Sequence, residues 1–373
     1  MHLYLERLEL RNFKNYKAFE AVFSSGINFI TGFNASGKTN ILDAIYLLSF
    51  TKSYFNINDS QLVNTGATDG FYFVKGLYKT GESAEELQVT YRKNSRKVFK
   101  RNGKEYERLV DHIGLIPLIM ITPGDTVLIS EGSEVRRRFL DMLISQFDKE
   151  YLYNLVQYNK ALKQRNALLK QLQAMPYAGS GMFDPWNEKL SGYGDYIYRK
   201  RKEITEWLTK YFNEFYYNIA DDKYQLAIRY RSQLSEKSMH ELLEESFESD
   251  KVLQYTTKGI HKDDLVFTIN GLKVKKIASQ GQQKTLLLAL KLAEKQIIEN
   301  FSGKHPLLLL DDVFDKLDEV RVTNMIQTLA ENNSNQIFIT DTHTQRMLDI
   351  RSKLKINSQL MEIADSQIMK VYD

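Results

Sequence analysis

No cysteine occurs among the 373 residues. That removes disulfides, zinc–thiolate centres and thiol nucleophiles from consideration and fits a reducing compartment. No stretch approaches the ~20 apolar residues that a membrane span needs. The N-terminal residues alternate apolar and polar without the apolar core of a secretion signal. A strong charge bias is missing too: 51 basic against 47 acidic residues decide little about partners, so the local distribution of charge has to be read instead. Internal repeats and low-complexity tracts are absent. What is there, 43% hydrophobic and 26% charged residues, is ordinary for a globular chain long enough for two or more domains with sizeable cores, and the expected location is cytoplasmic.

Two short stretches carry chemistry. Gly32-Phe33-Asn34-Ala35-Ser36-Gly37-Lys38-Thr39, followed by Asn40, has the spacing of a phosphate-binding loop. Its four fixed positions match by chance in roughly one chain of this length in a hundred. The setting narrows that further. Residues 27–31 read as a short buried strand ahead of the loop, and Ile41, Ala44, Ile45 and Leu48 recur at helical spacing after it. Backbone N–H groups and the positive end of that helix then face the phosphates, Lys38 adds a point charge, and the Thr39 hydroxyl can ligate Mg²⁺. The competing reading is a glycine turn with an incidental lysine.

Far downstream, four leucines run into Asp311 and Asp312. A buried strand ending in two carboxylates is the place for the second half of an ATP–Mg²⁺ site. Asp311 is expected on the metal with Thr39, and Asp312 beside the attacking water as the catalytic carboxylate with Lys38. The alternative for Asp312 is a turn or helix cap, and Asp315 and Asp318 share that ambiguity. Ser279-Gln280-Gly281-Gln282-Gln283 opens an apolar helix about thirty residues before Asp311. By itself this is a helix cap. At that distance it resembles the Ser-Gly-Gly-Gln-like signature of ABC-type ATPases, which docks on the γ-phosphate held by the other subunit; with one of each element per chain, a complete site then requires a dimer.

The texture of the chain predicts strands at 71–78 and 86–92, and a hairpin joining 97–101 to 104–106 through Asn102-Gly103, a type I′ turn signal. From about 134 to 250 long helical patterns take over. One is broken at 175–181, another spans about 186–218, and an acidic one spans about 235–248. A strand returns near 264–269 with a second turn at Asn270-Gly271, then come a helix at 282–298, the strand before Asp311, a helix to about 332 and a strand at 336–340. The fold class is therefore α/β, an ABC-ATPase-like P-loop head with a mixed sheet and flanking helices. Residues 1–125 and 255–373 are expected to form that head, and 126–254 a mainly helical insertion.

End to end, the chain resembles the RecF family of bacterial DNA replication and repair proteins, in the ABC/SMC-like ATPase class. Residues 10–16 look like the family's opening turn and Gly32 to Asn40 like its P-loop. Residues 122–125, Gly132, 136–141 and 162–170 resemble segments peculiar to it, and 261–265, 279–283 and 311–318 complete the set. Departures fall at Gly124, where an acidic residue is usual, at Ser133 and Glu134, and at Asp315-Lys316. The resemblance implies an ATP- and Mg²⁺-dependent homodimer that binds duplex DNA beside single-stranded gaps and helps RecO and RecR load RecA, slow hydrolysis driving release. An SMC or Rad50-like mechanical ATPase and a metabolic P-loop kinase are the alternatives. The interrupted insertion is too short for a coiled-coil arm, and a kinase leaves Ser279–Gln283 unexplained.

For DNA itself, Arg92, Lys93, Arg96, Lys97, Lys100, Arg101 and Lys104 lie on or around the Asn102-Gly103 hairpin, which could contact phosphates without reading bases. A solvated edge hairpin guarded by lysines is the equal alternative. Further basic clusters stand at 136–138 and 199–202, though adjacent helical residues cannot all face one ligand. His343, just after the last expected strand, lies near where ABC ATPases place a γ-phosphate-sensing histidine, in a shifted register.

Overall fold

The computed structural model describes residues 3–172, 180–220, 224–314, 326, 336–354 and 356–372. The chain divides into two compact units, Met1–Pro123 with Ile298–Asp373, and Gly124–Ile297.

The first unit holds two six-stranded sheets. One is antiparallel and runs, in spatial order, Tyr16–Val22, Leu3–Phe13, Phe71–Thr80, Ser83–Arg92, Val98–Arg101 and Lys104–Glu105. Its strand Phe71–Thr80 alternates in burial along most of its length, as a sheet with one covered face requires. The other runs Gln367–Tyr372, Ser358–Ala364, Ile27–Thr31, Ile337–Asp341, Leu307–Asp311 and Leu118–Ile121, parallel throughout except for its first, antiparallel pair. Here Ile27–Thr31, Leu307–Asp311 and Ile337–Asp341 are buried at every position, the apolar-run pattern of parallel strands covered on both faces. The helix Lys38–Phe50 buries nearly its whole circumference and touches strands of both sheets. Parallel order places the C-terminal ends of Ile27–Thr31 and Leu307–Asp311 on one edge, the usual place for a ligand in such a sheet.

In the second unit the helices Ser133–Ser145 and Asp184–Ile219 pack on a three-stranded antiparallel sheet of Leu272–Lys273, Asp264–Ile269 and Leu226–Arg231, and the helix Lys149–Gln171 packs against both of them. The longest helix starts with Pro185 in its first turn, where a missing N–H costs nothing.

Three expectations change. The strand Leu226–Arg231 lies inside the region read as helical, because its short alternating pattern is overshadowed by the long helix before it. It pairs with Asp264–Ile269, so that strand belongs to the second unit, and the division falls at 297/298, within the helix Gln280–Ser302, rather than at 254/255. The single acidic helix over 235–248 is instead two, Met239–Glu245 and Phe247–Leu253. Between them the Ser246 carbonyl accepts the Ser249 hydroxyl at 2.7 Å, the kind of local side-chain–backbone bond that competes with helix continuation. The expected break at 175–181 (apart from residues 180–181) and the helix to about 332, with Asp315 and Asp318, lie outside the described residues save for Ile326.

Both Asn-Gly signals are realised as left-handed turns, with φ of 49° and 77° at Asn102-Gly103 and 49° and 80° at Asn270-Gly271. The terminal strands Ser358–Ala364 and Gln367–Tyr372 and the edge strand Leu118–Ile121 were not anticipated from the sequence.

Candidate nucleotide site

The loop after Ile27–Thr31 turns on two glycines that no other residue could replace. Gly32 has φ of 150° and a Cβ there would stand 2.1 Å from the Ile363 carbonyl oxygen; Gly37 has φ of 110° and a Cβ there would stand 2.6 Å from both Asn15 Nδ2 and the Tyr16 hydroxyl. Gly37 is the N-cap of the helix Lys38–Phe50 and offers no side chain to its first turn, so the leading N–H groups are left for an anion. The buried Lys38 ammonium donates to the carbonyls of Gly32 and Phe33 at 2.8 and 3.0 Å. These bonds hold its charge inside the loop's curve.

The two halves of the site meet. Thr39 Oγ1 donates to Asp311 Oδ1 at 2.9 Å, and Thr340 Oγ1, from the neighbouring parallel strand, donates to the same oxygen at 2.8 Å. Asp311 is 6% exposed. Burial raises its pKa, while the hydrogen bonds from Thr340 and Thr39 work the other way. A hydroxyl and a carboxylate held together are hard oxygen donors that fit Mg²⁺. Among the described residues no group of three or more His, Asp or Glu could hold a metal; Mg²⁺ shared with substrate phosphates needs no such cage. Asp312 follows in a left-handed conformation, φ 47°, its N–H bonded to Thr340 Oγ1 at 3.0 Å. His343 is exposed and its N–H is held by Asp341 Oδ1 at 2.7 Å.

Ser279 and Gln282 form a reciprocal capping pair. The Gln282 N–H donates to Ser279 Oγ at 3.2 Å and the Ser279 N–H to Gln282 Oε1 at 3.0 Å. Ser279, Gln280 and Gly281 are exposed, and nothing lies within 4 Å of where a Gly281 Cβ would be. The cap that the sequence alone suggests is thus real, and it presents an open helix start.

The basic hairpin is half spoken for. Arg96 pairs with Glu105, Lys97 with both oxygens of Asp59 at 2.9 Å, and Arg101 with Glu85, while Arg92 lies over the Phe71 ring. Among the described residues Lys93, Lys100 and Lys104 have no such partner. The clusters at 136–138 and 199–202 are partly turned inward: Arg136 pairs with Asp264 at 2.8 Å, Arg137 donates to the Asp263 carbonyl at 2.7 Å and Arg201 is 2% exposed, while Arg138, Arg199 and Lys202 are exposed. Arg231, Lys258 and Lys262, distant in sequence, line one open cleft of the second unit with Glu236 and Glu245.

The second unit's polar interior also explains segments that looked distinctive in the sequence. Arg165, from the 162–170 run, is fully buried and donates to Asp250, Asn187 and Thr256 at 2.7–2.9 Å. Thr256 in turn bonds Asn166. From the 261–265 run, His261 Nε2 faces the Thr256 carbonyl at 3.0 Å and Nδ1 faces the Tyr158 hydroxyl at 2.8 Å. A carbonyl only accepts, so Nε2 carries the proton and Nδ1 accepts from the tyrosine. Burial pushes the imidazole down to about 4. The folded state therefore keeps it neutral while the unfolded chain binds a proton near its ordinary value. The stability this contributes is fully present above about pH 6.5 and is lost as pH falls to about 4, roughly 3 kcal/mol in all. Urea unfolding at about pH 7.5 and about pH 4.5 should show that loss, and His261→Gln should lack most of it; parallel declines in both proteins would clear His261 of the role.

Residues 4–363 match the family described as the RecF/RecN/SMC N-terminal domain. The chain is 44% identical to the DNA replication and repair protein RecF of Azobacteroides pseudotrichonymphae genomovar. CFP2, over 98% of this chain and 99% of that protein. It is 43% identical to the protein of the same description from Parabacteroides distasonis, over 98% of each. Among solved structures, that of the recombination mediator protein RecF with ATP in the RecFOR pathway superposes with a TM-score of 0.89 at 31% identity, covering 100% of this chain and 98% of that one. The Smc head domain of Pyrococcus yayanosii, TM-score 0.57 at 14% identity over 100% of this chain and 97% of that one, shares the fold.

Proposed function

This chain belongs to the RecF family of DNA replication and repair proteins, and on that premise we propose that it is an ATP-driven DNA clamp. Two copies close around ATP, bind duplex DNA next to single-stranded gaps and, with RecO and RecR, help to load RecA. Slow hydrolysis then removes the γ-phosphate contacts and releases the grip, a population shift driven by nucleotide-dependent contacts.

The observation that carries the nucleotide half is the hydrogen bond from Thr39 to Asp311. It joins the first turn after the phosphate loop to the end of the carboxylate strand, across 272 positions of sequence. Residues 32–40 would wrap the phosphates, with Lys38 neutralising their charge. Thr39 and Asp311 would hold Mg²⁺, which when bound polarises the phosphoryl oxygens. Asp312 would orient the attacking water. The open helix start at Ser279, Gln280, Gly281 and Gln282 would meet the γ-phosphate on the other copy, and Lys93, Lys100 and Lys104 are the hairpin cations available to DNA.

Composite sites make a specific prediction. Lys38→Ala and Ser279→Arg should each abolish ATP hydrolysis. Mixed in equal amounts on gapped DNA, they should regain about a quarter of wild-type turnover, because half the dimers are mixed and each mixed dimer keeps one of its two sites intact. A mixture as inactive as its components would overturn the composite site.

A further inference from the structure

Asn15 sits in the two-residue turn between Leu3–Phe13 and Tyr16–Val22, where Phe13 pairs with Tyr16. Its amide reaches three separate stretches of the first unit. Nδ2 donates to Ser366 Oγ at 2.8 Å and to the Ser36 carbonyl at 3.4 Å, and Oδ1 accepts from Asn40 Nδ2 at 2.7 Å. Ser36 belongs to the phosphate loop and Asn40 to the first turn of the helix that follows it. Ser366 lies 351 positions from Asn15, in the turn joining the last two strands. Asp365 and Ser366 there both hold positive φ, 48° and 62°, as a two-residue hairpin turn between the paired Ala364 and Gln367 requires.

Steric evidence points the same way. The group a Cβ at Gly37 would strike is Asn15 Nδ2, and the group a Cβ at Gly32 would strike is the carbonyl of Ile363, three residues before Ser366. Both turning points of the loop are therefore backed by this turn and by the C-terminal hairpin. Among the described residues Ser36 Oγ and the Tyr16 hydroxyl, both buried, find no hydrogen-bond partner, and the side-chain bond to the Ser36 carbonyl at this face comes from Asn15.

We propose that Asn15 is a positioning residue for the nucleotide: it ties the phosphate loop to the Ser366 turn and so makes the C-terminal hairpin part of the nucleotide site. The proposal rests on the nucleotide reading above. A loop already fixed in its binding shape has less freedom to lose when phosphate arrives. Loss of the tie should therefore appear in affinity rather than in the stability of the nucleotide-free fold.

The test is ATP–Mg²⁺ affinity and the nucleotide-free melting temperature for Asn15→Ala, Asn15→Asp, Ser366→Ala and the double variant of Asn15→Ala with Ser366→Ala. Asn15→Ala should bind ATP about tenfold more weakly, the scale of one or two lost hydrogen bonds, while melting within about 3 °C of wild type. Asn15→Asp keeps the acceptor for Asn40 but loses the donor, and should fall with Asn15→Ala. Ser366→Ala, which removes one hydroxyl, should weaken binding severalfold. The double variant should lose less than the product of the two single losses, because both remove the same bond. Wild-type affinity in Asn15→Ala, or in Ser366→Ala should Asn15→Ala not fold, would overturn the proposal, as would single losses that simply multiply. A wild-type chain that binds no ATP would instead sink the nucleotide reading itself.

Discussion

Asp311→Asn should lower ATP turnover by about a hundred- to a thousandfold, the scale of deleting one preorganised electrostatic partner, while leaving the nucleotide-free protein as stable as wild type or more so. The two effects have one origin. Asp311 Oδ1 accepts from Thr39 and Thr340, and an asparagine carbonyl oxygen can take the same two bonds without distorting the strand. What disappears is the negative charge. Burial disfavours that charge and raises the Asp311 pKa against the hydrogen bonds from Thr340 and Thr39, so removing it relieves a cost when no cation is present. If Asp311 holds Mg²⁺ as proposed, the same loss would deprive the metal of its protein carboxylate. Steady-state hydrolysis and thermal melting, measured on one preparation, separate the two. A variant that keeps its turnover, or that loses turnover only because it melts far earlier, would refute the assignment of Asp311 to the metal.

Arg201→Met should cost the second unit about 3–5 kcal/mol, the range for breaking a buried ion pair from one side. The Arg201 guanidinium donates to Asp141 Oδ1 from Nε and Nη2 at 3.0 and 2.8 Å, to the Ile260 carbonyl at 2.9 Å and to Asp263 Oδ2 at 3.4 Å. Tyr151 bonds to Asp141, and Tyr230 to Asp263. Methionine fills a similar volume but strands two carboxylates, of which Asp263 is 1% exposed. Burial already raises the Asp263 pKa against the pull of Tyr230, Ser232 and Arg201. Without the arginine it rises further, and a carboxyl whose folded pKa exceeds its unfolded value adds stability only at low pH. The gap between variant and wild type in urea unfolding should therefore narrow as pH is lowered from about 7.5 to about 5. A gap that stays constant would mean the loss is one of packing alone.

That network also shows why some residues defied a linear reading. A run such as 199–202 counts as a basic patch until the fold turns Arg201 inward onto Asp141 and Asp263. The hairpin's seven cations look like a nucleic-acid surface until Glu85, Glu105 and Asp59 are brought beside three of them. Neutralisation of this kind depends on which strand lies alongside, and composition cannot register it. Leu226–Arg231 was missed for a related reason: six residues of alternation carry little signal unless their partner Asp264–Ile269 is known.

The glycine loop at 32–37, the apolar strand ending at Asp311 and the two Asn-Gly turns are readable from the order of residues because each is a local backbone demand. Glycine is needed where φ is positive and space is short, and an unbroken apolar run is needed where a strand is covered on both faces. Tertiary structure alone brought Thr39 to Asp311, Asn15 to Ser366 and Arg165 to Asp250. Those contacts span 272, 351 and 85 positions and follow from strand order and helix packing, which no short stretch of sequence encodes.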